Sequence, residues 1–142
     1  MAEWHLSAFL AARKIQHMTV FDCFMFNNEL DMLELRLKVL DGIVDRFILV
    51  EAAQTHRGNS KPLFFADNID RFAQWRDKIE HIVLDTLPES DDPWVMENAQ
   101  RNAIADGLPN VRDDDLVLIS DVDEIPRPEV LRALIANPPT AI

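Results

Sequence analysis

Unbroken apolar runs alternate along this chain with stretches whose apolar residues fall three and four positions apart. Thr19 to Phe26 reads TVFDCFMF, a run of β-formers that predicts a first strand. Asn27 and Asn28 follow, then Glu29 and Asp31: a capping amide, then acids suited to the positive end of a helix dipole. Leu30, Leu33, Leu37, Leu40 and Val44 recur at helical spacing and mark one buried face, with Gly42 near its end. Arg46 to Glu51, RFILVE, suits a strand buried on both faces. The polar stretch AAQTHRGNSKP, broken by Gly58 and Pro62, reads as a loop. Asn68 to Arg76 predicts a helix carrying Ile69, Phe72 and Trp75, and Lys78 to Leu84 a third strand. After a loop with Pro88 and Pro93, Trp94 to Leu108 predicts a helix stopped by Gly107 and Pro109. Asp115 to Ser120, DLVLIS, is the fourth strand, and Glu129 to Ile135 a last short helix between Arg127-Pro128 and Asn137-Pro138-Pro139.

Strand and helix taking turns in this way define an α/β fold with a mainly parallel sheet flanked by helices on both faces. The domain is expected over residues 19–142. Residues 1–18 are set apart as an N-terminal extension, whose Trp4, Leu6, Phe9, Leu10 and Ile15 would form one loose helical face. Its apolar patch, Leu6 to Ala12, lacks the preceding basic stretch of a secretory signal. With no apolar run of about 20 residues, no membrane-spanning helix is expected. A cytoplasmic location is the resulting expectation.

Hydrophobic residues make up 48% of the 142 and charged residues 27%, an ordinary globular balance rather than a disordered one. Glycine occurs three times, which argues against a glycine-rich phosphate loop. The formal net charge is −11, and Asp85 to Glu129 holds thirteen acids against three arginines. Such a surface repels nucleic acid, so no nucleic-acid partner is expected. Cys23 is the single cysteine, inside an apolar run; it forms no intrachain disulfide and reads as a buried, inert thiol.

In open α/β sheets ligands bind beyond the carboxyl ends of the strands. Three acid-bearing strands draw attention: Asp22 in the first, Glu51 ending the second, and Ser120-Asp121-Val122-Asp123-Glu124 ending the fourth. Asp121 and Asp123 are two apart, so on an extended backbone they point the same way. Two such carboxylates repel unless a cation lies between them, and Mg²⁺ or Mn²⁺ favours oxygen ligands while keeping positions open for phosphate and water. A polar loop after a strand is the competing reading. Asp113-Asp114-Asp115 carries the same spacing but precedes its strand in a polar turn, and reads as solvated charge. Glu34 and Arg36 in the first helix read as structural, Glu34 pairing with Lys38. The histidines His5, His17, His56 and His81 lack metal-ligand spacing.

The segments DCFMFNNELDMLELRLKVLDGIVDRFILVEA, KPLFF, MENAQRNAI and DLVLISDVDEIPRP, in that order over residues 21 to 130, resemble glycosyltransferase family 17. The resemblance implies a GT-A-like (Rossmann-like) nucleotide-sugar-binding fold. It implies transfer of N-acetylglucosamine from UDP-GlcNAc to a glycan hydroxyl by an inverting, metal-assisted displacement, with Mn²⁺ or Mg²⁺ as cofactor. A UDP-sugar donor and a glycan acceptor are the implied partners. Carried onto this chain, Asp123 binds the metal, Asp121 meets metal, ribose or sugar, and Glu124 supports the metal. Asp22 and Glu51 would receive uracil or ribose hydroxyls. Arg101 would hold a phosphate, against the alternative of a surface ion pair with Glu97 four residues earlier. Arg57 and Lys61 offer a weaker phosphate contact. Family members continue well past DVDEIP, so the chain reads as a donor-binding portion truncated at its C-terminus, with the catalytic base and the acceptor side in the missing half or a partner chain. Eukaryotic members are Golgi membrane proteins. The alternatives are a non-catalytic nucleotide-sugar- or partner-binding fragment and a metal-dependent phosphohydrolase.

Overall fold

The computed structural model describes residues 17–140, so the helical face expected for Trp4 to Ile15 lies outside the described residues. Four strands form one all-parallel sheet in the order β3-β2-β1-β4: β1 is Val20–Phe26, β2 Arg46–Ala52, β3 Ile79–Leu84 and β4 Leu116–Ile119. The chain steps from β1 outward to β2 and β3, then crosses back to place β4 on the other side of β1. The strand order therefore reverses between β1 and β4, and a crevice opens there at the carboxyl ends.

Helix α1 is Leu30–Leu40, α2 Phe64–Asp67, α3 Pro93–Asn102 and α4 Pro128–Ala136. Alternation along β1 and β2 sends Val20, Phe24 and Phe26, with Phe47 and Leu49, to one face. There they meet Leu33, Leu37 and Leu40 of α1, Phe72 and Trp75, and Leu131 of α4. Cys23, Ile48 and Val50 face the other way, against Ala103 and Ile104 after α3. These unbroken apolar strands are what a sheet covered on both faces requires. β4 is an edge strand, and its Ile119 is exposed.

Several local expectations are revised. The first helix has no asparagine cap: Glu29 stands at its start, and its Oε2 accepts from the backbone N–H groups of Asn27 and Asn28, both at 3.0 Å. The helix stops at Leu40, and Lys78 Nζ donates to the carbonyl of Asp41 (2.6 Å), a group the helix end leaves unpaired, and to that of Val44 beyond it (3.2 Å). The helix expected over 68–76 is a 3₁₀ stretch, Ile69–Lys78, kinked at Phe72, and the short α2 comes just before it. The helix expected over 94–108 tightens to 3₁₀ at Ala103–Gly107. Gly107 is there for space: a Cβ on it would sit 2.5 Å from Ile48 Cγ2.

Asp115 is not solvated charge. It accepts from the N–H of Thr19 (2.9 Å) and of Arg112 (2.9 Å), and from the Arg112 guanidinium (3.0 Å), tying the start of β4 to the start of β1. Its neighbours Asp113 and Asp114 are exposed.

Candidate functional site

Strand β4 ends at Ile119, and the acids beyond it lie in a turn, not on extended backbone. The N–H of Glu124 donates to the carbonyl of Asp121 at 3.0 Å, and the N–H of Asp121 donates to Glu124 Oε2 at 3.0 Å. Val122, between the two aspartates, is buried and packs into the core, while Asp121 and Asp123 are exposed. Both residues line one cleft because the turn tucks Val122 between them inward, which replaces the period-two argument made from the sequence.

Both aspartates line an open cleft of about 510 Å³ at the reversal of strand order. Met25, Phe26 and Asn27 at the end of β1 form another wall, with Glu29 and Met32 of α1 and with Glu97 and Gln100 of α3. His56 closes it toward a larger groove of about 1010 Å³ beside the loops after β2 and β3, lined among others by Gln54, Arg57, Leu87 and Met96. Among the described residues no lysine or arginine lines the smaller cleft, whereas four acids do. Two of the four are committed: Glu29 to the N–H groups of Asn27 and Asn28, Glu97 to Arg101. Among the described residues, the carboxylates of Asp121 and Asp123 have no hydrogen-bond or ion-pair partner.

Glu124 does not join them, because its carboxylate folds back on the Asp121 amide. Among the described residues no three His, Cys, Asp or Glu side chains gather as a ready-made metal site. The described residues bring two uncommitted carboxylates to the cleft, and the three-acid set expected from the sequence is not gathered among them.

Asp22 does not reach the cleft. It lies mid-strand on the face of β1 that carries Val20 and Phe24, beneath α1, and is fully buried. Its oxygens accept from Arg36 Nε (2.8 Å) and Nη2 (2.7 Å), a bidentate pair with no solvent contact on either side. The same guanidinium donates to the carbonyls of Asp121 (2.7 Å), Val122 (3.1 Å) and Glu124 (3.2 Å), and to Ser120 Oγ (2.7 Å). Arg36, read from the sequence as an ordinary helix residue, is the side chain on which the aspartate turn sits. A signal was present: position 36 shares the buried face of Leu33, Leu37 and Leu40, and an arginine there demands a buried acid.

Glu51, expected at the donor site, does not line the cleft either. It is fully buried on the helix-facing side of β2, its Oε1 accepting from the N–H of Phe65 (3.1 Å) and its Oε2 lying 2.9 Å from His81 Nε2. Lys61 Nζ approaches to 3.9 Å, so this lysine serves Glu51. Arg101 is exposed and donates to Glu97 Oε1 at 3.1 Å, the surface pair weighed as its alternative; Gln100 beside it is the residue that lines the cleft.

These features define an α/β domain of Rossmann-like type whose strand-order reversal opens into an acidic, cation-poor cleft. The chain belongs to glycosyltransferase family 17, whose model matches residues 5–138 and so begins within the stretch read as an extension. It is 33% identical over 115 residues to the rat β-1,4-mannosyl-glycoprotein 4-β-N-acetylglucosaminyltransferase, covering 75% of this chain and 21% of the rat protein. The human protein of the same name is 33% identical over 115 residues, with 22% of its length covered. The chain thus spans about a fifth of the length of these relatives. No solved structure matches it. Among the described residues no helix is long and apolar enough to cross a membrane.

Proposed function

We propose that this chain forms the donor side of a glycosyltransferase, binding a uridine diphosphate sugar, of which UDP-N-acetylglucosamine is the foremost candidate, at the Asp121–Asp123 turn. The observation that carries the reading is the imbalance of the cleft among the described residues: two uncommitted carboxylates, two committed ones and no lysine or arginine. A diphosphate cannot enter such a site against its charge unless a divalent cation bridges it to the carboxylates. Two carboxylates suit Mg²⁺ or Mn²⁺, which take one or two protein oxygens and complete their shell with phosphate and water. Asp121 and Asp123 would hold the ion. When bound, it stabilises the charge that grows on the leaving diphosphate as the bond to the sugar breaks.

The rest of the cleft supports a GT-A-like arrangement. Met25, Phe26 and Met32 give apolar walls, and Asn27 and Gln100 give neutral polar groups suited to sugar or ribose hydroxyls. The relatives are named as N-acetylglucosaminyltransferases acting on β-1,4-mannosyl glycoprotein, which favours UDP-N-acetylglucosamine as donor and a glycan hydroxyl as acceptor attacking in line. Among the described residues no third uncommitted carboxylate faces the cleft, so the reading covers the donor side of the reaction.

Competition binding with a panel of nucleotide sugars in the presence of Mn²⁺ tests it. UDP-N-acetylglucosamine is expected to bind and GDP-mannose not. Preference for a guanosine donor, or release of inorganic phosphate from a nucleotide monoester, would replace the reading with another.

A further inference from the structure

We propose that Asp22 and Arg36 form a buried positioning unit that sets the shape of the Asp121–Glu124 turn and keeps the ground beneath its two free carboxylates electrically neutral. This rests on the reading of that turn as the cation and diphosphate site.

The geometry is unusual in how completely it commits one side chain. Arg36 is fully buried, and its face lies 4.7 Å from the centre of the Phe24 ring. Nε and Nη2 grip both oxygens of Asp22, Nη2 also reaches Ser120 Oγ, and Nη1 serves the three carbonyls of Asp121, Val122 and Glu124. A guanidinium carries its donors in a rigid plane, so the strand-held Asp22 fixes that plane and the plane fixes the turn. Three carbonyls are drawn inward, Val122 follows them into the core, and the side chains of Asp121 and Asp123 are left pointing to the cleft. The order of dependence runs from β1 through Asp22 and Arg36 to the turn.

Charge explains why the partner is an acid. An arginine alone beneath two carboxylates would supply the positive charge that a metal ion should supply, and would weaken its binding. Asp22 cancels that charge while leaving the donors in place. Geometry and charge can therefore be separated by substitution. Arg36→Lys keeps the charge but loses the planar fork. Asp22→Asn keeps an acceptor oxygen but leaves the arginine uncompensated. Ser120→Ala removes one contact at the edge of the unit.

The test is calorimetric titration of Mn²⁺ and UDP into the full chain, wild type and the three variants, well below each melting temperature. Arg36→Lys is expected to weaken Mn²⁺-dependent UDP binding by about 10- to 100-fold, the usual loss when the support behind a metal ligand is removed. Asp22→Asn is expected to weaken it severalfold, and the loss should persist at high salt because the uncompensated charge is buried, where salt screens little. Folded Arg36→Lys with wild-type affinity would overturn the proposal and leave the pair a packing element. Should that variant not fold, Ser120→Ala decides: a loss of about threefold supports the proposal, and unchanged affinity overturns it. Wild-type protein that binds no UDP with Mn²⁺ would refute the donor reading instead. The positioning role is then judged by hydrogen exchange, which must quicken selectively at residues 120–124 in Ser120→Ala; an unchanged pattern overturns it.

Discussion

Glu51 and His81 face each other across neighbouring parallel strands, with Oε2 and Nε2 2.9 Å apart and the carboxylate fully buried. The other oxygen of Glu51 holds the first turn of α2 through the Phe65 amide, and the His81 ring packs edge-on against Phe65 at 4.8 Å between centroids. This arrangement spends Glu51 on fastening the β2 loop and α2 to the sheet. Glu51→Ala is therefore expected to cost about 1–3 kcal/mol of stability, the order found when buried hydrogen-bonding groups lose their partner. Urea denaturation measures it. Nucleotide affinity, determined on the folded variant, should stay close to wild type; a selective loss of affinity with stability intact would return Glu51 to the binding site.

Cys23 sits between Asp22 and Phe24 with no exposure. Burial and, less strongly, the adjacent Asp22 charge push its thiol up, Arg36 opposes both, and the group ends at about 12. At about pH 8 the thiolate is then scarce and shielded, so iodoacetamide should leave the folded chain unlabelled and react only after denaturation. Ready labelling of native protein would mean that the β1 core opens easily.

The link between Asp115 and the Thr19 and Arg112 amides makes stability depend on acid. Burial alone would raise this carboxyl, but the hydrogen bonds from Arg112 and from the two backbone N–H groups outweigh it and bring the group down from 3.8 to about 2. A depressed native value means that the unfolded chain takes up the proton first, so the contribution is complete above about pH 4 and fades as the pH falls toward 2. Asp115→Asn is expected to lose about 1–3 kcal/mol at neutral pH, and its deficit against wild type should narrow with acidification. Melting temperatures of both proteins over that range measure this. A deficit that does not change with pH would place the effect in hydrogen-bond geometry and not in charge.

The sheet was legible because a parallel strand covered on both faces must be apolar at nearly every position, and TVFDCFMF, RFILVE and DLVLIS are such runs. The acids were harder. Asp22 interrupts an apolar strand, which marked it as special, but whether it served a ligand or a neighbour depended on which face met α1. That is a tertiary fact, although Arg36 on the apolar stripe of α1 was the matching clue. Asp121 and Asp123 stand out by position after the strand, yet the turn that sets them at one cleft is held by Arg36 from 85 residues away in sequence. The 3₁₀ stretch at Ile69–Lys78 escaped because packing of Phe72 and Trp75 into the core decides its backbone, and helical spacing of apolar residues does not distinguish it from an α-helix.

In the proposed site, Asp121 and Asp123 would hold a divalent cation to which a nucleoside diphosphate binds. This is tested most directly by titrating UDP into the chain by calorimetry, with Mn²⁺ and with chelator, for wild type, Asp121→Ala and Asp123→Ala. The account predicts binding in wild type only when Mn²⁺ is present, and a loss of at least about tenfold in Asp123→Ala. UDP binding that ignores the metal, or that survives unchanged in both alanine variants, would contradict it.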